Sequence, residues 1–75
     1  METYLDRDND SSVESYQIGD DYIIVKFKSG RTQYYKYTYA SAGASSVEEM
    51  KQLAHAGDGL NSYIKRCNPG YVERW

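Results

Sequence analysis

Nine of the 75 residues are tyrosine, and four of these crowd between Tyr34 and Tyr39. Aromatic rings that stand out from a sheet can stack on unpaired nucleobases, while neighbouring Lys and Arg side chains meet phosphates. Tyr22, Lys26, Lys28, Arg31, Tyr34 and Lys36 supply both halves of that chemistry within one short stretch. Tyrosine is equally a good strand residue that fills half-buried faces, so sheet packing is the competing reading, above all for Tyr35 and Tyr37. Other reactive types are sparse. Asp6-x-Asp8-x-Asp10 resembles the opening of a calcium loop. Ser11 stands where such a loop needs glycine, and Gln17 where it needs a bidentate glutamate. A solvated acidic leader, or an arm folded over a basic face, accounts for the run without a metal. His55 and Cys67 are the single histidine and cysteine. Nothing in the sequence orients them as a nucleophile–base pair, and no oxyanion-type glycine motif stands beside them. His55 reads as an exposed helical residue and Cys67 as a small core residue. Gly57-Asp58-Gly59 opens a helix and could cradle an anion, but Asp58 is expected to occupy that position as the helix cap. The residues therefore point to a non-catalytic protein with no cofactor and no metal.

The elements that must position the tyrosines follow from periodicity. Val13, Tyr16 and Ile18 suggest a strand over about 12–18, and Gly19-Asp20-Asp21 a turn. Tyr22 to Lys28 is the clearest strand, dense in β-branched and aromatic residues, and 31–39 is the next. These predict a three-stranded antiparallel meander. A three-residue loop, Lys28-Ser29-Gly30, with Gly30 left-handed would set Val25 opposite Gln33 and Ile23 opposite Tyr35. One face then carries Ile23, Val25, Phe27, Tyr35 and Tyr37, the expected core. The other carries Tyr22, Ile24, Lys26, Lys28, Tyr34 and Lys36. A two-residue loop would exchange the tyrosines but still leave one basic, aromatic face.

Ala40 to Ser46 reads as a small-residue linker. A helix is expected over about 46–56, capped by Ser45 or Ser46 with Glu48 or Glu49 three residues on, with Val47, Met50, Leu53 and Ala54 on one face and Gly57 at its end. A second helix, about 59–67, carries Leu60, Tyr63, Ile64 and Cys67 as an apolar stripe. Asn68-Pro69-Gly70 stops it. Trp75 is expected to pack back onto the sheet, because it would otherwise leave much apolar area exposed.

Charge is distributed unevenly along this order. Residues 1–21 hold seven acids against one base, and residues 22–75 eight bases against four acids, so a net −6 and a net +4 add to the overall −2. The basic body thus lies at 22–75; a flexible acidic leader is expected at 1–10 and a single small domain at 11–75. Hydrophobic residues at 40% and charged residues at 27% are those of an ordinary small soluble domain and exclude collagen-like and low-complexity classes. No apolar run reaches the ~18 residues of a membrane span. The acidic opening without an apolar stretch argues against a secretory signal, and a lone cysteine against a disulfide scaffold. A cytoplasmic setting is expected.

Ser11-Ser12-Val13, Ile23-x-Val25-x-Phe27, Ser29-Gly30, Tyr35-Lys36-Tyr37, Leu53-Ala54-His55-Ala56-Gly57 and Leu60-Asn61-Ser62-Tyr63-Ile64-Lys65 follow one another in an order that resembles the KTSC domain family. That family is named for its occurrence at the C-terminus of some lysyl-tRNA synthetases and also occurs as small stand-alone proteins. The resemblance covers roughly residues 11–67. It implies no established activity; the synthetase context suggests RNA binding by association only.

The expectation is thus an α+β domain, a three-stranded meander packed by two short helices. Its role is that of a small binding module, with two readings. Single-stranded RNA is bound weakly through the basic aromatic face, or a protein docks on the same face or on a sheet edge, with the chain itself a monomer or weak homodimer.

Overall fold

The computed structural model describes residues 1–5, 12–28 and 33–75. The alternation in the third strand organises everything else. In β3 (Tyr22–Phe27) Ile23 and Val25 are fully buried, whereas Tyr22, Ile24 and Lys26 are only partly covered. β3 pairs with β2 (Val13–Ile18) on one side and β4 (Tyr34–Thr38) on the other, both antiparallel. The meander is wider than the sequence implies. β1 (Glu2–Thr3) adds outside β2, and β5 (Glu73–Arg74) outside β4, so the described residues form a five-stranded antiparallel sheet in the order β1-β2-β3-β4-β5. The start of the expected leader therefore belongs to the fold: Tyr4 is buried in the core, and its N–H donates to the Glu14 carbonyl at 3.0 Å.

The register between β3 and β4 also differs from the expectation. Ile23 lies opposite Tyr37 and Val25 opposite Tyr35, two residues along from the pairing set by a Lys28-Ser29-Gly30 loop. The Phe27 N–H donates to the Gln33 carbonyl at 2.8 Å, so the connection between the strands is longer than three residues. A slip of two residues preserves the side-chain alternation, which is why both faces keep their expected members. Ser29 to Thr32, and with them Gly30 and Arg31, lie outside the described residues.

The segment read as a linker is helical. Thr38 caps α1 (Tyr39–Ala42) through a capping box: its hydroxyl accepts from the Ser41 N–H at 3.1 Å, and the Ser41 hydroxyl accepts from the Thr38 N–H at 3.0 Å. Alanine and serine run readily as helix once a cap is present. α2 (Ala44–Ala56) follows after Gly43, so neither Ser45 nor Ser46 is its cap. Val47, Met50 and Ala54 turn inward along α2 and meet Tyr16, Ile23, Val25 and Tyr37 in one core. Gly57 ends α2 in the left-handed region at φ 71°, with Leu5 packed against its α-carbon face.

α3 (Leu60–Cys67) begins after Gly59, and Asp58 makes no capping bond. The cap comes from across the chain: the Tyr4 hydroxyl accepts from the buried Leu60 N–H at 3.2 Å. Leu60 is fully buried and Tyr63 and Ile64 partly so, but Cys67 is exposed. The final turn of α3 leaves the core behind, which corrects the core reading of Cys67.

Candidate functional site

All core-forming side chains of the helices gather on one face of the sheet, which leaves the alternate residues of β2, β3, β4 and β5 to form the other. Register places Ser15, Lys26 and Tyr34 in one row across that outer face. Trp75 extends the row, because Tyr34 and Trp75 exchange both backbone hydrogen bonds, at 2.8 and 2.9 Å. The next row is Gln17, Ile24, Lys36 and Glu73, and beyond it Tyr22 faces Thr38. The tight turn after β2 requires a glycine at 19, since the Tyr22 ring lies where a β-carbon would stand.

The rings and cations of this face are engaged with one another. Trp75 stacks on Tyr34 with centroids 5.4 Å apart and planes within 5°. The Lys26 ammonium sits 5.6 Å from the centre of the Tyr34 ring, and the Lys36 ammonium 4.8 Å from that of Tyr22. Both distances are within reach of a cation–π attraction. Gln17 donates to the Tyr22 hydroxyl at 3.3 Å. Lys26 also forms an ion pair with Glu14 at 2.8 Å, and the hydrogen bond to that carboxylate, reinforced by its charge, raises the lysine pKa. Glu73 stands opposite Lys36 in the ladder.

Of the residues singled out from the sequence, Tyr22 and Lys36 form one pair and Lys26 and Tyr34 another, on the same face. Lys28 is exposed just past the end of β3. Arg31 lies outside the described residues. Three charged or aromatic members of the face, Trp75, Glu14 and Glu73, stand outside the sequence-derived set. Trp75 is expected on the sheet from its apolar area alone, but its place beside Tyr34 follows only from the pairing of the C-terminal strand. Glu14 and Glu73 could not be foreseen, since their closeness to the lysines depends on a bulge between Val13 and Ser15 and on the pairing of β5.

Beneath the sheet the tyrosines behave differently. Tyr37 is 2% exposed, and burial pushes its phenol up to about 12. Tyr35 packs edge-on against Phe27 and Tyr71. At the edge of α2, the Tyr39 hydroxyl donates to Glu48, which also pairs with Lys51 at 2.8 Å, and Lys51 donates to the Asp20 carbonyl at 2.9 Å. The Glu48 carboxyl is lowered by its bond from Lys51, then by that from Tyr39; the Tyr39 phenol is raised by the Glu48 bond. This cluster fastens α1 and α2 to the β2–β3 turn.

His55 is exposed with its ring edge-on to Tyr16 at 6.0 Å. Among the described residues no three His, Cys, Asp or Glu side chains are grouped to hold a metal, and the Asp6-Asp8-Asp10 run lies outside them. No described helix is long and apolar enough to cross a membrane. No protein-family model, curated protein or solved structure matches this chain.

Proposed function

We propose that this chain is a non-catalytic, cytoplasmic binding module that takes single-stranded RNA weakly through the outer face of its sheet. The observation that carries the reading is the Lys26–Tyr34–Trp75 group: stacked rings with an ammonium over one of them, on a face the helices leave open. Such a group offers π-surface to bases and positive charge to phosphates together. Tyr22 and Lys36 repeat the pairing on the same face. We also read the chain as KTSC-like on the motifs given above, a reading that rests on those residues alone.

A titration of the whole chain with single-stranded RNA, followed by amide NMR shifts at low and moderate salt, tests this. Shifts on Lys26, Lys28, Tyr34 and Lys36 that fade as salt rises are expected, because phosphate contacts release counterions. Replacing Lys26, Lys28 or Tyr34 should weaken the response. A flat titration overturns the proposal.

A second reading, a protein partner on the same face, is favoured by one feature. Glu14 neutralises Lys26, and Glu73 stands across from Lys36, so the face mixes charges where a dedicated phosphate surface is uniformly basic. Capture of a defined protein partner without RNA would select it.

A further inference from the structure

We infer that Trp75 is the primary stacking platform of this face, and that an unpaired nucleobase adds to the Tyr34–Trp75 pair as a third ring. The inference rests on the RNA reading above and deepens it by naming the ligand group and the residue that receives it. The geometry points there in three ways. First, the two rings are already in contact, 5.4 Å between centroids and nearly parallel. A slot that admits a flat ring between two others needs planes roughly 7 Å apart, twice a van der Waals contact of about 3.5 Å, so a ligand extends the stack and does not enter it. The same contact leaves no cleft between these rings for a proline side chain. Second, one side of Tyr34 is taken by Trp75 and its ring also carries Lys26. The Trp75 indole turns its second side away from Tyr34, toward the margin of the sheet, where no described strand pairs beyond β5. Trp75 is 51% exposed. Third, Lys36 lies two residues from Tyr34 on the same strand and face, with Glu73 opposite it and two residues from Trp75, so a phosphate would meet Lys36 across a mixed-charge row beside the stack. Planar aromatic surface bordered by cations suits a base with its phosphate.

The chain contains a single tryptophan, so emission excited beyond the tyrosine absorption band reports on this position alone. The experiment titrates the whole chain with single-stranded oligoadenylate and, in parallel, oligouridylate, reading Trp75 emission and amide NMR shifts together. Trp75 emission should be quenched along the same curve as the amide shifts, with oligoadenylate tighter because purines offer the larger ring. Trp75→Leu keeps the backbone pairing of β5 and should weaken binding about tenfold by the amide readout; Trp75→Phe, which preserves an aromatic plane, should recover much of it and serves as the second variant if Trp75→Leu loosens β5. Amide shifts with unchanged emission, and a Trp75→Leu chain that binds like the parent, would overturn this inference while leaving RNA binding intact. An absence of any shift or quenching overturns both. Quenching by an extended peptide and not by either oligonucleotide assigns the platform to protein recognition and also overturns the inference.

Discussion

The two faces of the sheet are built from the same strands, and neighbouring residues meet opposite fates. In β4, Tyr35 and Tyr37 turn toward the helices while Tyr34 and Lys36 turn away. Of the inner tyrosines Tyr35 is partly covered by its neighbours, and Tyr37 loses its water almost wholly, so that its phenol resists ionisation. The outer tyrosines keep part of their surface and gather lysines instead. One residue type therefore serves as filler on one side and as a candidate contact on the other, and only the parity of its position decides which. Abundance of tyrosine says little about function; its placement relative to the core says much more.

Neighbouring isoleucines in β3 give the widest test of this contrast. Ile23→Ala removes a fully buried side chain and should cost about 3 kcal/mol, a large share of the roughly 4–11 kcal/mol expected for a chain of this size. Ile24→Ala on the open face should cost roughly 1 kcal/mol or less. Urea unfolding of the pair measures the difference, and equal losses would show that both faces are packed alike.

Tyr4→Phe comes next. It strips the hydroxyl that accepts from the buried Leu60 N–H, and an orphaned donor costs about 1–2 kcal/mol. The same unfolding experiment should show that loss with little change in the outer-face residues.

Alkaline unfolding sharpens the comparison through Tyr37. Its folded pKa, about 12, lies above its ordinary 10.0, so the unfolded chain releases the proton first. The stabilisation is whole below pH 10 and falls away as pH rises toward 12, by at most one proton's worth, about 1.4 kcal/mol per pH unit. Tyr37→Phe should flatten that slope. An unchanged slope would mean that another group controls alkaline unfolding.

The smallest stability effect belongs to the outer charges. Glu14→Gln releases Lys26 from its ion pair, and the melting temperature should hardly move, because an exposed pair contributes little. Oligonucleotide affinity should instead rise about twofold as a repelling carboxylate is removed. A fall in affinity would make Glu14 part of the contact surface.

The face assignment was legible because strand periodicity of two survives any even slip in register. Tyr22, Lys26, Tyr34 and Lys36 could thus be grouped before their partners were known. The register itself was not legible, since it depends on a connection whose length the residues leave open. β1 and β5 are two residues each, too short for alternation to announce them, so periodicity alone yields three strands. α1 was hidden by composition: Ala-Ser-Ala suits a linker as well as a helix, and only the Thr38–Ser41 capping box decides it. Asp58 has the right chemistry for a cap, but the Leu60 N–H finds Tyr4, 56 positions away, a contact that sequence proximity cannot reveal.

The brevity of β1 and β5 also bears on aggregation. β2 carries valine, tyrosine and isoleucine, and β4 three tyrosines and a threonine, side chains of the high β-propensity that cross-β segments share. Each is shielded by an edge segment bearing charge, Glu2 outside β2 and Glu73–Arg74 outside β4. A two-residue guard occupies the inner ladder yet offers scarcely any template on its own far side. Shedding either guard would bare a sticky strand, so the charged edge segments act as gatekeepers of colloidal stability as well as parts of the sheet.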